Sequence, residues 1–235
     1  REKEVLQIIR ENPMFSREEI ANELEISSSA IGTYIHSLMN KGYLLGKGYI
    51  VAPKKKIVIV GGCNIDLKAY VKDKYIAGSS NQGFLVESLG GVGRNIAENL
   101  GVLDQETVLL STVGQDSYGN KIINQTIKPS LNLDYMIRNS NYHTGTYLAH
   151  LNNNGELIGA IADMEILETI DSNYLYKHRQ IIEQAAVLVV DTNLTEDSIQ
   201  YLLDLVSEED IPVIVEPVSV SKSRKINNKL DQIDI

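Results

Sequence analysis

A single cysteine, Cys63, stands among 235 residues, so no disulfide forms within the chain, and one thiol beside a strand end reads as a small core residue. No apolar run approaches the roughly 18 residues that a bilayer span needs. The charged start Arg1-Glu2-Lys3-Glu4 lacks the pattern of a secretion signal, so the expectation is a cytoplasmic protein with no membrane partner. His36, His143, His150 and His178 are the only histidines; they fall at no metal-ligand spacing, and no metal site is expected from them. Two phosphate-binding signatures are missing as well. Gly-x-x-x-x-Gly-Lys-Ser/Thr does not occur, and Gly91-Val92-Gly93 followed by Ile96 lacks the third glycine of a dinucleotide fingerprint.

What remains is an ordinary globular composition, 43% hydrophobic, long enough for one large or two modest domains. Charge divides unevenly. Residues 1–56 hold nine Lys/Arg against seven Asp/Glu, whereas the remainder holds thirteen against twenty-four. A slightly basic segment therefore precedes a strongly acidic body that would repel nucleic acid.

Val5, Leu6, Ile8 and Ile9 give residues 2–11 an amphipathic helical pattern, closed by Asn12-Pro13. Ser16-Arg17-Glu18-Glu19 is a capping box that starts a second helix running to about Leu24. After the turn Glu25-Ile26-Ser27, a third helix carries Ile31, Ile35 and Leu38 on one face and stops before Gly42. Residues 43–51 read as two short strands around Gly46-Lys47-Gly48. Three helices and a hairpin in this order resemble a winged helix-turn-helix domain, expected over residues 1–52, with 53–56 as a charged, proline-bearing linker. The resemblance implies DNA as a partner, through Ser28, Ser29, Thr33 and Tyr34 on the third helix and Lys47 at the wing tip. These groups suit phosphate contacts, because no Arg or Gln stands there for bidentate base reading. The bland counterpart is a module that only packs or mediates dimers.

In the acidic body, Ile57-Val58-Ile59-Val60-Gly61-Gly62 is a buried-strand run ending in glycines, followed by Asn64 and Asp66 on the same side of an extended segment. Further on, Leu89-Gly90-Gly91-Val92-Gly93-Arg94-Asn95-Ile96 is a turn stripped of side chains that opens into a helix. The unpartnered N–H groups of such a helix start receive hydroxyls and anions. Strands near 69–72, 83–87, 107–113, 187–191 and 211–216 alternate with helices at 92–103, 172–185 and 195–207, which argues for a mostly parallel sheet covered on both faces. Asn152-Asn153-Asn154-Gly155 joins a hairpin, residues 144–151 and 156–161. Asp116 reads as a helix N-cap.

Asn64-Ile65-Asp66 paired with Gly90-Gly91-Val92-Gly93-Arg94-Asn95 resembles the ribokinase-like (PfkB) carbohydrate and nucleoside kinases. Residues 110–114, 161–164 and 215–219 add a similarity to pseudouridine kinases. The resemblance implies an α/β fold over residues 57–235, the N-terminal portion of a ribokinase-like domain with a small β lid. It implies a ribose-like sugar or nucleoside held by Asp66, the Gly90 and Gly91 N–H groups and Asn95, with Asn64, Thr146, Asp163 and Asn193 as further contacts. ATP and Mg2+ are the implied cofactors, the 5′-hydroxyl is the implied acceptor, and a homodimer through the lid or the winged helix is a further expectation. The late Gly-Ala-Gly-Asp that carries base and anion hole in that family does not occur here. No catalytic residue is therefore assigned, the ATP- and metal-binding region is expected to lie outside this chain, and the 235 residues are not expected to turn over alone. Asn193-Leu194-Thr195-Glu196 looks like the family's metal motif but sits two strands early, where Thr195 and Glu196 suit a helix start. Glu216-Pro217 departs from the usual Asp-Pro. The alternative from a different class is a nucleoside- or sugar-responsive regulator whose kinase-like part only senses.

Overall fold

Residues 1–45, 55–207 and 209–235 are described by the computed structural model, and the chain divides between Lys54 and Lys55 into two units. In the first, α1 (Glu2–Glu11), α2 (Arg17–Glu23) and α3 (Ser28–Asn40) bury Val5, Ile9, Ile20, Ile31, Ile35, Leu38 and Leu44 against one another. The capping box is formed: the Glu19 N–H donates to Ser16 Oγ at 3.2 Å, and the Ser16 N–H donates to Glu19 Oε2 at 2.6 Å. Ser27 caps α3 in the same way, through the Ala30 N–H. Gly42 follows the helix with φ +73°, the left-handed stop its lack of a side chain allows. The strands expected around Gly46-Lys47-Gly48, Lys47 itself, and the Pro53-Lys54 part of the linker lie outside the described residues.

The second unit begins with β1 (Ile57–Val60), β2 (Asn64–Val71) and β3 (Gly83–Gly90), and turns at Gly91 into α4 (Val92–Val102). Next come β4 (Thr107–Leu110), β5 (Thr112–Gly114), α5 (Ser117–Thr126), β6 (Leu131–Asn132), β7 (Ile137–Asn139) and the hairpin β8 (Thr146–Leu151) with β9 (Leu157–Asp163). The last third holds α6 (Ser172–Lys177), α7 (Arg179–Glu183), β10 (Val187–Asp191), α8 (Glu196–Val206), β11 (Val213–Glu216) and the single turn α9 (Val220–Ser223).

Five of these strands form a parallel sheet in the order β11-β10-β1-β4-β6. Alternate side chains divide between two cores: Val58, Val60, Val108, Leu110, Leu188 and Val190 pack with α6, α7 and α8, while Ile59, Leu109 and Val189 pack with α4 and α5. Helices thus cover both faces, as a buried parallel sheet requires, and each fully buried aliphatic side chain contributes about 1.5–3 kcal/mol. A second sheet, ordered β3-β2-β8-β9, is the lid. Its outer strands leave Phe84, Leu85, Leu157 and Ile161 exposed.

Several element bounds differ from the sequence reading. The strands expected at 69–72 and 83–87 are longer, β2 beginning at Asn64, so that the extended segment bearing Asn64 and Asp66 is the start of that strand. Residues 107–113 make two strands because the Ser111 hydroxyl donates to the Gly61 carbonyl at 2.6 Å, after which β5 leaves the main sheet to pair with β7. Residues 172–185 divide at His178, whose ring packs edge-on against Tyr135 and Tyr174. Asp163 ends β9 instead of standing beyond the hairpin. Asp116 caps α5 through the Gly119 N–H at 2.7 Å and accepts from the Thr144 N–H at 2.8 Å and the Thr144 hydroxyl at 2.7 Å. Its partial desolvation is outweighed by these donors, which hold the carboxyl below its ordinary range.

Candidate active site

The glycine turn rests on a buried carboxylate. Asp191, the last residue of β10, is 1% exposed, and its Oδ2 accepts from the Gly62 N–H at 2.7 Å and the Gly93 N–H at 2.9 Å. Oδ1 accepts from the Asn193 N–H at 2.9 Å. Burial pushes the carboxyl above the ordinary carboxylate range, while these three donors pull the other way. No side chain fits between the partners: a β-carbon on Gly61 would stand 2.4 Å from Asp191 Oδ2, and one on Gly93 would stand 2.8 Å from the Gly61 Cα. The end of β1, the start of α4 and the end of β10 are therefore tied together at one group.

This tie decides which amides at the start of α4 stay unpartnered. Of the N–H groups at the helix start, that of Gly93 serves Asp191, and that of Arg94 donates to the Gly62 carbonyl at 3.1 Å. Gly91 and Val92 keep N–H groups with no intrahelical partner, at the positive end of the helix dipole. Gly91 holds φ +94°, and a β-carbon there would lie 2.3 Å from the Gly62 carbonyl oxygen; only glycine fits.

Asp66 stands over the same turn. A β-carbon on Gly90 would lie 2.5 Å from Asp66 Oδ1 and 2.6 Å from Asn64 Nδ2, so the two polar side chains occupy the space that a side chain at position 90 would fill. Asn64 Nδ2 donates to Asp66 Oδ1 at 2.6 Å, which orients the carboxylate and leaves Oδ2 to accept from a ligand. Gly90 is paired with Asn64 at the end of the β2–β3 ladder. Its contribution is the missing side chain, and Val92 joins Gly91 as the second bare amide, a residue the sequence reading passed over.

The remaining expected contacts separate. The pleat puts Thr146 and Asp163 on the face of β2 that carries Ile65, opposite to Asp66, because Ile65 pairs with Thr146 and Thr146 pairs with Asp163. Asn95 is exposed, and its Oδ1 accepts from Arg94 Nη1 at 2.6 Å. Asn193 comes close: its Nδ2 lies 3.7 Å from the position of a β-carbon on Gly62, and its Oδ1 accepts from Lys222 Nζ at 2.5 Å. Thr195 caps α8 through the Ser198 N–H, so Thr195 and Glu196 are the start of a helix. Cys63 is fully buried, and burial pushes its thiol up to about 12, which makes it inert at neutral pH. A cleft of about 440 Å³ is lined by Asp163, Asn193 and Lys225. A larger one, about 710 Å³, lies among residues that precede β1 and β4, such as Lys56 and Glu106. In a parallel sheet, ligands gather at the carboxyl ends of strands, where the glycine turn is.

The parallel sheet and the smaller β sheet beside it thus set the Asp66 carboxylate against a glycine turn at a helix start. Residues 54–235 match the pfkB family carbohydrate kinases, and the chain belongs to that family. It is 38% identical over 233 residues to the Escherichia coli K12 protein described as uncharacterized sugar kinase YeiI, covering 99% of this chain and 64% of the relative. To the pseudouridine kinase of the same organism it is 38% identical over 180 residues, covering 77% of this chain and 57% of the relative. The chain thus spans 64% and 57% of the length of these two relatives. Among solved structures, a carbohydrate kinase from Agrobacterium tumefaciens superimposes with a TM-score of 0.69 at 28% identity, covering 77% of this chain and 59% of that one.

Asp191→Ala leaves the buried N–H groups of Gly62 and Gly93 and the part-buried one of Asn193 without an acceptor and is expected to destabilise the second unit by about 3 kcal/mol or more. Urea unfolding measures this, and a loss below about 1 kcal/mol would show that the carboxylate is not what joins the three segments.

Proposed function

We propose that the chain carries the acceptor-binding half of a sugar or nucleoside kinase of pseudouridine kinase type. In that reaction the γ-phosphoryl group of ATP, with Mg2+ as counter-ion, passes to the 5′-hydroxyl of a ribose-containing substrate. The observation that carries the reading is the Asp66 carboxylate standing over the bare Gly90. A carboxylate with a free oxygen accepts from paired ribose hydroxyls, and the Gly91 and Val92 amides donate to a hydroxyl oxygen from the opposite side. Asn64 orients the carboxylate, and Asn193 borders the same turn. Thr146, Asp163 and Asn95 stay outside this set. The residues present suit the sugar better than the metal, and no residue of this chain is assigned as the base. Similarity to the Escherichia coli pseudouridine kinase supports a nucleoside over a free hexose.

A second reading concerns the first unit. The relative that matches 99% of the chain covers this unit too, and Ser28, Ser29 and Thr33 are exposed at the start and along the outer side of α3, with Tyr34 half-buried beside them. We propose that these groups touch the phosphate backbone of duplex DNA, a contact set too small to read sequence by itself.

Titration calorimetry with pseudouridine, ribose and fructose tests the first reading. Pseudouridine or ribose is expected to bind, with Asp66→Ala weakening it about tenfold to a hundredfold, the value of a charge-assisted hydrogen bond; no heat from any of the three would refute it. A gel shift on random duplex DNA at low salt tests the second, with retardation that fades as salt rises. Free DNA at all protein concentrations would dismiss DNA as the partner, and a shift that changes with pseudouridine would instead mark a sensor.

A further inference from the structure

Two cations beside the glycine turn have no part in holding a sugar. Lys222 Nζ donates to Asn193 Oδ1 at 2.5 Å, and Lys225 Nζ donates to the carbonyls of Thr192 at 2.9 Å and Leu194 at 2.5 Å. All three acceptors lie just past the carboxyl end of β10. Both lysines are half-buried, and among the described residues neither forms an ion pair. Lys225 is pushed below the usual lysine range, by desolvation first and by the Lys222 charge second. The Asp191 and Glu196 charges pull Lys225 the other way without reaching ion-pair distance, so the two ammonium groups rest directly on neutral oxygens, and a negative group at contact range would relieve their mutual repulsion.

The backbone that brings them there is strained. Val218 holds φ +56°, a left-handed conformation that a β-branched residue rarely adopts, and strain of this kind persists where the surroundings enforce it. Here the Thr192 hydroxyl donates to the Pro217 carbonyl at 2.6 Å, and the Val218 N–H donates to Glu216 Oε1 at 3.1 Å. The turn reverses the chain at the end of β11 and sets α9 over the end of β10. Asn193, on which Lys222 rests, also borders Gly62. Asp66 therefore flanks the glycine turn on the β2 side and the lysines flank it on the β10 side.

Resting on the kinase reading above, we infer that Lys222 and Lys225 form an anion site that receives phosphoryl oxygens, those of a polyphosphate donor or of a phosphate-monoester product. Lys222 has used one of its three N–H groups and Lys225 two, so three donors remain for the anion. Phosphoryl transfer is accelerated chiefly by positioning and by positive charge around the equatorial oxygens, and a pair of cations across the turn from the hydroxyl-binding carboxylate supplies that charge. Asp163, Glu165 and Glu168 are exposed where they line the adjoining cleft. The cations therefore act at contact range and do not steer anions from afar.

The test titrates sodium tripolyphosphate, ribose 5-phosphate and unphosphorylated ribose into the 235-residue chain, as wild type and as Lys222→Gln, Lys222→Arg and Lys225→Gln. Lys222→Gln is expected to weaken the anion at least about tenfold, the worth of one charge-assisted hydrogen bond, with ribose unchanged and Lys222→Arg restoring most of the loss. Stronger binding of tripolyphosphate assigns the site to the donor, and stronger binding of ribose 5-phosphate assigns it to the product. Wild-type anion affinity in both Gln variants, or no anion binding by the wild type, overturns the inference. Where Lys225→Gln lowers the melting temperature, Lys222→Gln, which removes a single hydrogen bond, decides alone. Should none of pseudouridine, ribose and fructose bind the wild type while lysine-dependent anion binding persists, the kinase reading is refuted and the anion site stands.

Discussion

One buried carboxylate at the end of a central strand sets the geometry of everything around it. Asp191 is buried and, among the described residues, forms no ion pair; its oxygens accept from backbone N–H groups of two other segments and of its own turn. Burying a carboxyl in this way is tolerable only if those donors stay in place. The demand runs outward: Gly61 and Gly93 must lack side chains to let the segments close on the carboxylate, and the first turn of α4 must present its amides in a fixed order.

That order separates structural from binding groups within four residues. Gly93 and Arg94 spend their N–H groups on the scaffold, which leaves those of Gly91 and Val92 without an intrahelical partner, next to the Gly90 that Asp66 overhangs. The proposed ligand site is rigid on its floor because the floor is made of main chain locked to the parallel sheet. Its other wall, the lid strand β2, belongs to a separate sheet with little cover on its outer strands. A floor of fixed amides under a lightly anchored carboxylate suits a substrate that must enter before it is enclosed.

Much of this was legible in the residues. The capping box at Ser16, the glycine stop at Gly42, the Asn152–Gly155 hairpin and the glycine turn before α4 carry their own local chemistry, and each formed where that chemistry placed it. The pairing of Asp66 with the glycine turn was also visible, because strand ends and helix starts in α/β sheets converge. Four features were not. Asp191 looked like the end of an apolar run, since nothing local reveals that a carboxylate will meet amides 98 and 129 positions away. The break at Ser111 goes with a carbonyl at the end of another strand, and Thr146 and Asp163 share the face opposite to Asp66 through a register of β8 against β2 that the whole second sheet sets. Lys222 owes its place to a strained Val218 that no propensity anticipates.

The central claim is that the amides of Gly91 and Val92, held by Asp191 and overhung by Asp66, are where the sugar hydroxyls land. Amide-resolved NMR of the labelled chain titrated with ribose addresses it directly. The account predicts that the Gly91 and Val92 signals move with saturation while Gly159, exposed on the outer lid strand, stays still. A saturating titration that leaves Gly91 and Val92 unmoved, whatever else shifts, would contradict it.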